Sequence, residues 1–229
     1  MNHLLSDMIN ADFHIHTSFS SDSSLSPESL ISKCIKTGLN CIAVTDHNTI
    51  EGALKVADIA PFKVIIGSEV KSAQGEIIGL FLKEDIPSNK TALETVKLIK
   101  EQNGLVSVPH PFDRYRKNVI TKDGLESIIP YIDMLEVFNA RNIRDMDNQK
   151  AMAFAVKNNL PICGVTDSHS IIEVGSTYTR MPDFLDNIQA FKQALSEATI
   201  ISKKSHPFVH GISTYNKIKK RIVNTLRSI

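Results

Sequence analysis

The sequence predicts an α/β fold in which a mostly parallel sheet closes, or nearly closes, into a barrel. Short apolar runs alternate regularly with amphipathic stretches of helical period along the chain, and six or seven such units can be counted. Nearly every apolar run ends in a polar residue that can bind a proton or a metal. At 229 residues, the chain is long enough for one such barrel.

Two histidines one residue apart, His14 and His16, end the first apolar run, which covers residues 8–15. If this run is a strand, residues two apart point to the same face, and the two imidazoles lie side by side. Paired imidazoles suit zinc or manganese. Such a pair also occurs without metal, with one ring hydrogen-bonded and the other at the surface. The interpretation therefore depends on ligands from other strands.

Helix and strand signals follow in order along the rest of the chain. Ser26 is a predicted N-cap, Pro27 the first helical residue and Gly38 the helix end. Buried strands are predicted at residues 8–15, 41–44, 63–66, 77–82, 105–108, 134–138, 161–165 and 177–181. Helices are predicted at residues 27–37, 49–59, 91–102, 125–131, 146–159 and 184–198, with residues 112–120 as a loop.

Composition predicts a single domain over residues 1–229, with residues 202–229 as a basic, helical C-terminal tail. The net charge of +1 gives no electrostatic reason to expect a nucleic-acid or membrane partner. A solvated helix face is the favoured interpretation of the tail. The start of the chain lacks a signal-peptide pattern and long apolar stretches are missing, so we expect a cytoplasmic protein. The three cysteines are expected to be buried thiols.

Polar residues follow the predicted strands at the point where each strand ends. In a parallel barrel these ends converge on one face, where active sites are built. Any one of them could instead be a core histidine or a helix cap, but buried charges need compensation, which bound cations provide. A multinuclear metal site is therefore predicted from the shared position of His14, His16, Asp46, His47, Glu69, His110, Asn139, Asp167 and His169.

The same residues resemble the motifs of the PHP (polymerase and histidinol phosphatase) family. The matching segments are Asp12-x-His14-x-His16-Thr17, Asp22, Thr45-Asp46-His47, Gly67-x-Glu69, His110-Pro111, Glu136-Val137-Phe138-Asn139 and Asp167-Ser168-His169. The resemblance implies a distorted (β/α)7 barrel, similar to a TIM barrel, with two or three divalent metal ions at the C-terminal ends of its strands.

The resemblance also implies a distribution of ligands among three metal positions. The first would take His14, His16, Glu69 and Asp167; the second would share Glu69 and add His110 and Asn139; the third would take Asp22, His47 and His169. Mixed nitrogen and oxygen ligands suit zinc, manganese or iron. Asn139 departs from the family pattern, and its amide oxygen is a poor zinc ligand.

The leading functional hypothesis is hydrolysis of a phosphate ester by a hydroxide that bridges two metals. Cationic groups should then stabilise the charge that develops on phosphorus. Arg141 is the favoured candidate for catalysis and substrate binding, with Arg114 and Arg116 as further substrate-binding candidates. Asp46 either orients a ligand, which is favoured, or passes a proton to the leaving group.

The expected substrate is a small phosphate ester such as a nucleotide or a histidinol-phosphate-like compound. Nucleic acid is not favoured, because the chain has no tryptophan and few aromatic residues to stack on bases. Three alternatives stay open: a nuclease or phosphodiesterase, an amidohydrolase-like C–N hydrolase, and a non-catalytic metal-binding accessory module. The bridging position matches Glu69, not the carboxylated lysine common in amidohydrolases. The sequence leaves the oligomeric state open.

Overall fold

The computed structural model describes residues 8–185 and 187–227. Residues 1–7, 186 and 228–229, which belong to the predicted domain, helix and tail, lie outside the described residues. The strands are β1 Met8–Ile15, β2 Cys41–Val44, β3 Lys63–Ser72, β4 Gly75–Leu80, β5 Leu105–Val108, β6 Met134–Asn139, β7 Ile162–Val165, β8 Tyr178–Pro182 and β9 Thr199–Ile201. The helices are α1 Pro27–Thr37, α2 Glu51–Ile59, α3 Ala92–Glu101, α4 Lys122–Ile128, α5 Asp145–Asn158, α6 Ile188–Ser196 and α7 Val209–Arg227, with a short 3-10 turn, Ile129–Tyr131, after α4.

The first seven strands form the wall of a nearly closed barrel, as the sequence predicts. They are hydrogen-bonded in the order β7-β6-β5-β4-β3-β2-β1, and β8 and β9 extend the sheet beyond β1. A parallel bridge between Ile15 and Ser168 brings the end of β1 to the segment that follows β7. Strand β4 runs antiparallel to both β3 and β5. The wall is therefore not a run of seven identical strand–helix units.

Helix α6 covers the end of the barrel opposite the predicted site. Phe191 on α6 is fully buried and meets Phe13 of β1 edge to face, with ring centroids 5.4 Å apart. Phe81 and Phe184 pack on the same ring at 5.3 Å. These four aromatic rings fill one end of the barrel, and the polar residues at the strand C-termini lie at the other end.

A bulge in β1 allows one strand to serve both the core and the site. Ala11 and Phe13 belong to the core cluster inside the barrel, whereas Ile15 packs outside it against α1. The register between β1 and β2 shifts between Asp12 and Ile15. The extra residue interrupts the alternation of faces, so His14 can follow Phe13 and still point inward.

Predicted helix boundaries agree with the structure within a few residues, because capping side chains that are recognisable in the sequence begin several of the helices. Ser26 and Thr91 cap α1 and α3 through their side chains, and Thr91 forms a reciprocal capping box with Glu94. Helix α2 differs, because its N-cap is Ile50; the Thr49 hydroxyl, one residue earlier, accepts the backbone N–H of Glu51 at 3.2 Å. Strand β9 is absent from the prediction; it is a short edge strand paired only through β8.

The structure confirms that all three cysteines, Cys34, Cys41 and Cys163, are buried, and none forms a disulfide. Burial raises the pKa of the Cys34 thiol to about 12, so this thiol is protonated at neutral pH. Across the part of the chain that the structure describes, no helix combines the length and apolar character needed to cross a bilayer.

Candidate metal centre

Eight of the nine predicted metal ligands converge at the open end of the barrel. The side-chain atoms of His14, His16 and Glu69 lie within 4.8 Å of one another, and so do those of His14, His110 and Asp167. A further group within the same limit contains His16, Asp22, His47 and His169. These eight side chains, which we call the ligand cluster, are His14, His16, Asp22, His47, Glu69, His110, Asp167 and His169.

His14 and His16 direct their Nε2 atoms at each other, 2.9 Å apart. The Nδ1 atom of His14 lies 2.6 Å from a Glu136 carboxylate oxygen and donates to it. The Nδ1 atom of His16 lies 3.1 Å from the Ser20 hydroxyl, which already donates its own proton to Asp46 and so accepts from His16. Both Nε2 lone pairs therefore point into the cluster, where either one proton or a metal cation can satisfy them.

Glu69 lies at the centre of the ligand cluster. Its Oε1 atom is 3.5 Å from His14 Nε2 and 3.2 Å from His110 Nε2. Its Oε2 atom is 3.4 Å from His16 Nε2 and 3.0 Å from His47 Nδ1. A carboxylate whose two oxygens face different sets of imidazoles has the arrangement needed to bridge two cations.

Orphaned polar atoms test whether this cluster fits a metal. Asp167 Oδ1 and Asp22 Oδ1 are buried and have no hydrogen-bond partner. Asp167 Oδ1 lies 3.5 Å from both His14 Nε2 and His16 Nε2, and Asp22 Oδ1 lies 3.5 Å from His169 Nε2. Buried carboxylate oxygens without partners are costly, and a divalent cation held with the neighbouring imidazoles would satisfy them. The residues present fit divalent metal ions.

Charge in the cluster favours the ionised carboxylates. Burial alone would raise the pKa of Asp167, but the Arg116 guanidinium and His14 hold it well below its usual range. Burial likewise opposes ionisation of Glu69, yet His14 and a hydrogen bond from His110 lower its pKa well below the ordinary value. Against the effect of its own burial, the carboxylates Asp167, Glu136 and Glu69 raise the pKa of His14. This excess of negative charge attracts a cation, which can be a proton or a metal ion.

His169 is neutral and ready to coordinate. Burial, followed by the charge of His16, lowers the pKa of His169 to about 3. Its Nδ1 atom donates to the backbone oxygen of Asp167 at 2.8 Å, which leaves Nε2 with its lone pair toward Asp22. Neutral imidazole with one nitrogen fixed by a hydrogen bond is the form of histidine that binds metals.

Glu76 is a member of this environment that sequence reasoning missed. It lies on β4, and its Oε2 atom is 3.9 Å from His110 Nε2. It forms a possible ligand group with His47 and Glu69. Burial, followed by the charge of Glu69, raises the pKa of Glu76. Its place within a β-hairpin, not at the end of a parallel strand, is the reason that no strand-end pattern marked it.

Asn139 does not have the orientation predicted for a metal ligand. Its side-chain oxygen accepts the backbone N–H of Arg141 at 3.0 Å. Its amide nitrogen donates to Glu136 at 2.9 Å and to Asp167 at 3.1 Å. All three contacts match donor to acceptor, so the amide oxygen faces away from the cluster. In this orientation the Asn139 amide nitrogen contacts two carboxylates of the site, those of Glu136 and Asp167.

Glu136, a residue of the matched motif with no predicted role, orients several members of the site. Besides His14, it accepts the backbone N–H of His110 at 2.8 Å and the Asn139 amide. Removal of a carboxylate that orients a metal-binding histidine costs about 10- to 100-fold in metal affinity. We expect Glu136→Gln to weaken metal binding by this factor, measured by chelator competition, whereas Glu126→Gln on the surface of α4 leaves it unchanged. Equal affinities in the two variants would contradict this role.

Asp46, predicted as an orienting or proton-transferring residue, takes the orienting position. It is fully buried and accepts the Thr17 backbone N–H at 2.7 Å, the Thr17 hydroxyl at 2.6 Å and the Ser20 hydroxyl at 2.6 Å. With these donors in place it does not border the cavity. Through Ser20 it fixes the tautomer of His16.

A cavity of about 610 Å³ opens beside the ligand cluster and is bordered by Asp22, His47, Glu76 and His169. Of the three predicted substrate-binding arginines, only Arg116 borders it. The Arg116 guanidinium contacts Asp167 directly and Asp113 at 3.1 Å. Cationic lining is completed by Lys71, Lys117 and Lys217.

Arg141 and Arg114 do not border this cavity, although Arg141 Nη1 donates to the backbone oxygen of Asp167 at 3.3 Å. Arg141 is only 4% exposed; it donates to Ser213 on α7 at 2.7 Å and pairs with Glu173 at 3.5 Å. Its guanidinium therefore joins α7 to the segment after β7 and does not border the cavity. Arg114 faces Asp147 of α5, with Nε 3.5 Å from Oδ1. Both charges already have carboxylate partners outside the cluster.

Comparison with known proteins identifies two adjacent regions of one protein family in this chain. The sequence profile of the PHP domain matches residues 12–133, and that of the PHP-associated region matches residues 145–200. A protein of Methanocaldococcus jannaschii with no described function is 37% identical over 160 residues, which cover 64% of this chain and 91% of that protein.

Solved structures share the fold at low sequence identity. A two-domain Bacteroides vulgatus protein described as containing a predicted PHP-like metal-dependent phosphoesterase gives a TM-score of 0.65 at 18% identity, over 86% of this chain and 65% of that one. The lesion-specific endonuclease Q of Pyrococcus furiosus gives a TM-score of 0.64 at 17% identity, over 88% of this chain and 60% of that one. Both proteins are thus longer than the segment they share with this chain.

Proposed function

Because this chain belongs to the PHP-domain family, we propose that it is a metal-dependent phosphoesterase acting on a small phosphate ester. The observation that carries the proposal is the pair of inward Nε2 atoms of His14 and His16, 2.9 Å apart, beside the unpartnered Asp167 Oδ1. The Bacteroides and Pyrococcus proteins of this fold are described as a predicted phosphoesterase and a lesion-specific endonuclease, which supports phosphorus as the attacked atom.

Three sets of residues would hold the ions, and the first two share Glu69. His14, His16, Glu69 and Asp167 form the first set; Glu69 and His110, with Glu76 nearby in place of Asn139, form the second; Asp22, His47 and His169 form the third. When bound, divalent ions of this ligand class (zinc, manganese or iron) supply an activated water and neutralise phosphate charge. Glu136, Asp46 and Ser20 keep the imidazoles in their metal-binding tautomers.

Substrate recognition is assigned to the cationic side of the cavity. Arg116 reaches the cluster itself and is placed to contact the phosphoryl group that is transferred to water. Lys71, Lys117 and Lys217 stand farther out, on the lining of the same cavity. A cavity of about 610 Å³ fits a nucleotide-sized molecule better than a polymer, which favours a small ester.

We expect Lys217→Met to raise KM for the phosphate ester about 2- to 5-fold with little change in kcat. Lys217 is exposed on the cavity wall, and one solvent-exposed ion pair contributes at most about 1 kcal/mol. Steady-state kinetics would measure the effect, with Lys219→Met on the same helix as the matched control. A fall in kcat with KM unchanged would argue against a role in ground-state binding.

The proposal is tested with purified protein loaded separately with manganese and zinc. The assay covers histidinol phosphate, nucleoside mono- and bisphosphates, a short oligonucleotide and bis-p-nitrophenyl phosphate. Release of orthophosphate from a monoester, lost in His16→Ala, is the expected result. Cleavage of the diester or oligonucleotide alone would assign a phosphodiesterase or nuclease instead. Inactivity on every phosphate with metal bound would leave the C–N hydrolase and accessory-module alternatives.

A further inference from the structure

The C-terminal helix α7 places one lysine against the loop that carries several cluster residues. Lys220 Nζ donates to the backbone oxygens of Ser18, Ser20 and Ser23 at 2.7, 2.5 and 2.7 Å. A lysine ammonium has three protons, and all three are used on this one loop. The solvated face predicted for the basic tail is therefore not a complete description of it. We call residues 17–25 the ligand loop.

The ligand loop carries two groups on which the metal centre depends. Ser20 Oγ accepts from His16 Nδ1 and from the backbone N–H of His47, at 3.1 Å each. Asp22 faces His47 Nε2 at 3.2 Å and His169 Nε2 at 3.5 Å. The loop has no helix or strand; its backbone is held by two internal hydrogen bonds, from Ser18 N–H to Leu25 O and from Ser20 N–H to Thr17 O, and by tertiary contacts. Those contacts include the three from Lys220.

Other contacts hold α7 in place without Lys220. Ser213 accepts from the buried Arg141, and His210 Nε2 lies 3.1 Å from the Arg141 backbone oxygen. Asn216 Nδ2 donates to Ser24 Oγ at 3.3 Å. We therefore expect the helix to stay docked when the Lys220 ammonium is removed. The ligand loop then loses three hydrogen bonds.

We propose that Lys220 is a positioning residue that fixes the ligand loop and thereby builds the metal position of His16, Asp22, His47 and His169. The inference rests on the proposed function because it assigns metal to this group of residues. Without the ammonium, the carbonyls of Ser18, Ser20 and Ser23 turn to water, and the backbone on either side of Asp22 loses its fixed direction. Lost support of this indirect kind lowers metal affinity about 10- to 100-fold.

The test compares the full-length protein with Lys220→Met and with the matched control Lys219→Met, whose lysine is exposed and one residue away. Metal-free protein of each kind is titrated with manganese and zinc, and bound metal is counted by elemental analysis. Lys220→Met is expected to bind the ion of the Asp22, His47 and His169 position about 10- to 100-fold more weakly, whereas the Glu69 and His110 position, which contains no residue of the ligand loop, keeps its affinity. Lys219→Met is expected to match the wild type.

Hydrogen exchange of the metal-free proteins gives a readout that does not depend on metal. Residues 17–25 are expected to exchange faster in Lys220→Met, while the β3–β4 hairpin exchanges at the wild-type rate. Lys220→Arg, which keeps a positive charge with several N–H donors at this position, is expected to restore part of the metal affinity. Circular dichroism and the unfolding midpoint establish that each variant is folded.

Unchanged metal affinity together with unchanged loop exchange in Lys220→Met would overturn the inference. If Lys220→Met were unfolded, Lys220→Arg and Lys220→Gln would be compared, and equal loop exchange in those two variants would also overturn it. Failure of the wild type to bind metal would refute the proposed function instead, and loop exchange would still decide whether Lys220 positions the loop. The two failures are therefore distinguishable.

Discussion

Replacing His16 by alanine is expected to abolish phosphate-ester hydrolysis while the barrel remains folded. His16 belongs to two of the possible ligand groups, one with His14 and Glu69 and one with Asp22, His47 and His169. Its ring centroid lies 4.1 Å from that of His169 and 4.6 Å from that of His47. Loss of one imidazole therefore weakens two metal positions together. The expected loss in kcat/KM exceeds the roughly 10- to 100-fold typical of residues that only orient ligands.

Asp167→Asn is the second variant of this experiment, because it preserves shape and removes charge. Asp167 Oδ1 has no hydrogen-bond partner in the structure, and a cation held by the cluster would satisfy it. The matched control is His206→Ala, an exposed histidine before α7 that lies outside the ligand cluster. Turnover, bound metal and circular dichroism are measured for each variant. Wild-type turnover in His16→Ala or Asp167→Asn would rule out the ligand assignment.

The positions of the side chains in the ligand cluster were predictable because strand ends converge in a barrel. His14, Glu69, His110 and Asp167 each follow an apolar run, and the parallel arrangement of those runs brings the side chains together. That argument uses only local pattern and the handedness of the fold. It predicts the position of each residue in the fold but not the direction in which its side chain points.

Direction depends on partners that local sequence does not reveal. Asn139 occupies the predicted place, yet its side-chain oxygen accepts the backbone N–H of Arg141 and faces away from the ligand cluster. Arg141 likewise stands near the site, but Glu173 and Ser213 of distant segments hold its guanidinium behind the cluster. Glu76 lies on β4 of an antiparallel hairpin, and an argument from the ends of parallel strands does not apply to it. In each case a contact with a distant part of the chain, and not the position of the residue in the sequence, determines where the side chain points.

Metal binding is expected to stabilise the fold, and the metal-free protein should unfold at a clearly lower temperature. Without metal, a proton between His14 Nε2 and His16 Nε2 must satisfy both rings, and Asp167 Oδ1 and Asp22 Oδ1 have no partner. Free metal at about one hundred times its Kd stabilises a one-site protein by about 2.7 kcal/mol. For a chain of this size, that raises the unfolding midpoint by about 5–10 °C.

Calorimetry of the chelator-treated protein, with and without added manganese or zinc, measures this shift. The sign of the pH dependence follows from His14, whose pKa is raised by Asp167, Glu136 and Glu69 against the effect of burial. Protons compete with metal for this ring, so affinity and the thermal shift should both decrease as the pH is lowered. His16→Ala should show a much smaller shift than His206→Ala. A shift of equal size in both variants would mean that the added ions bind outside the ligand cluster.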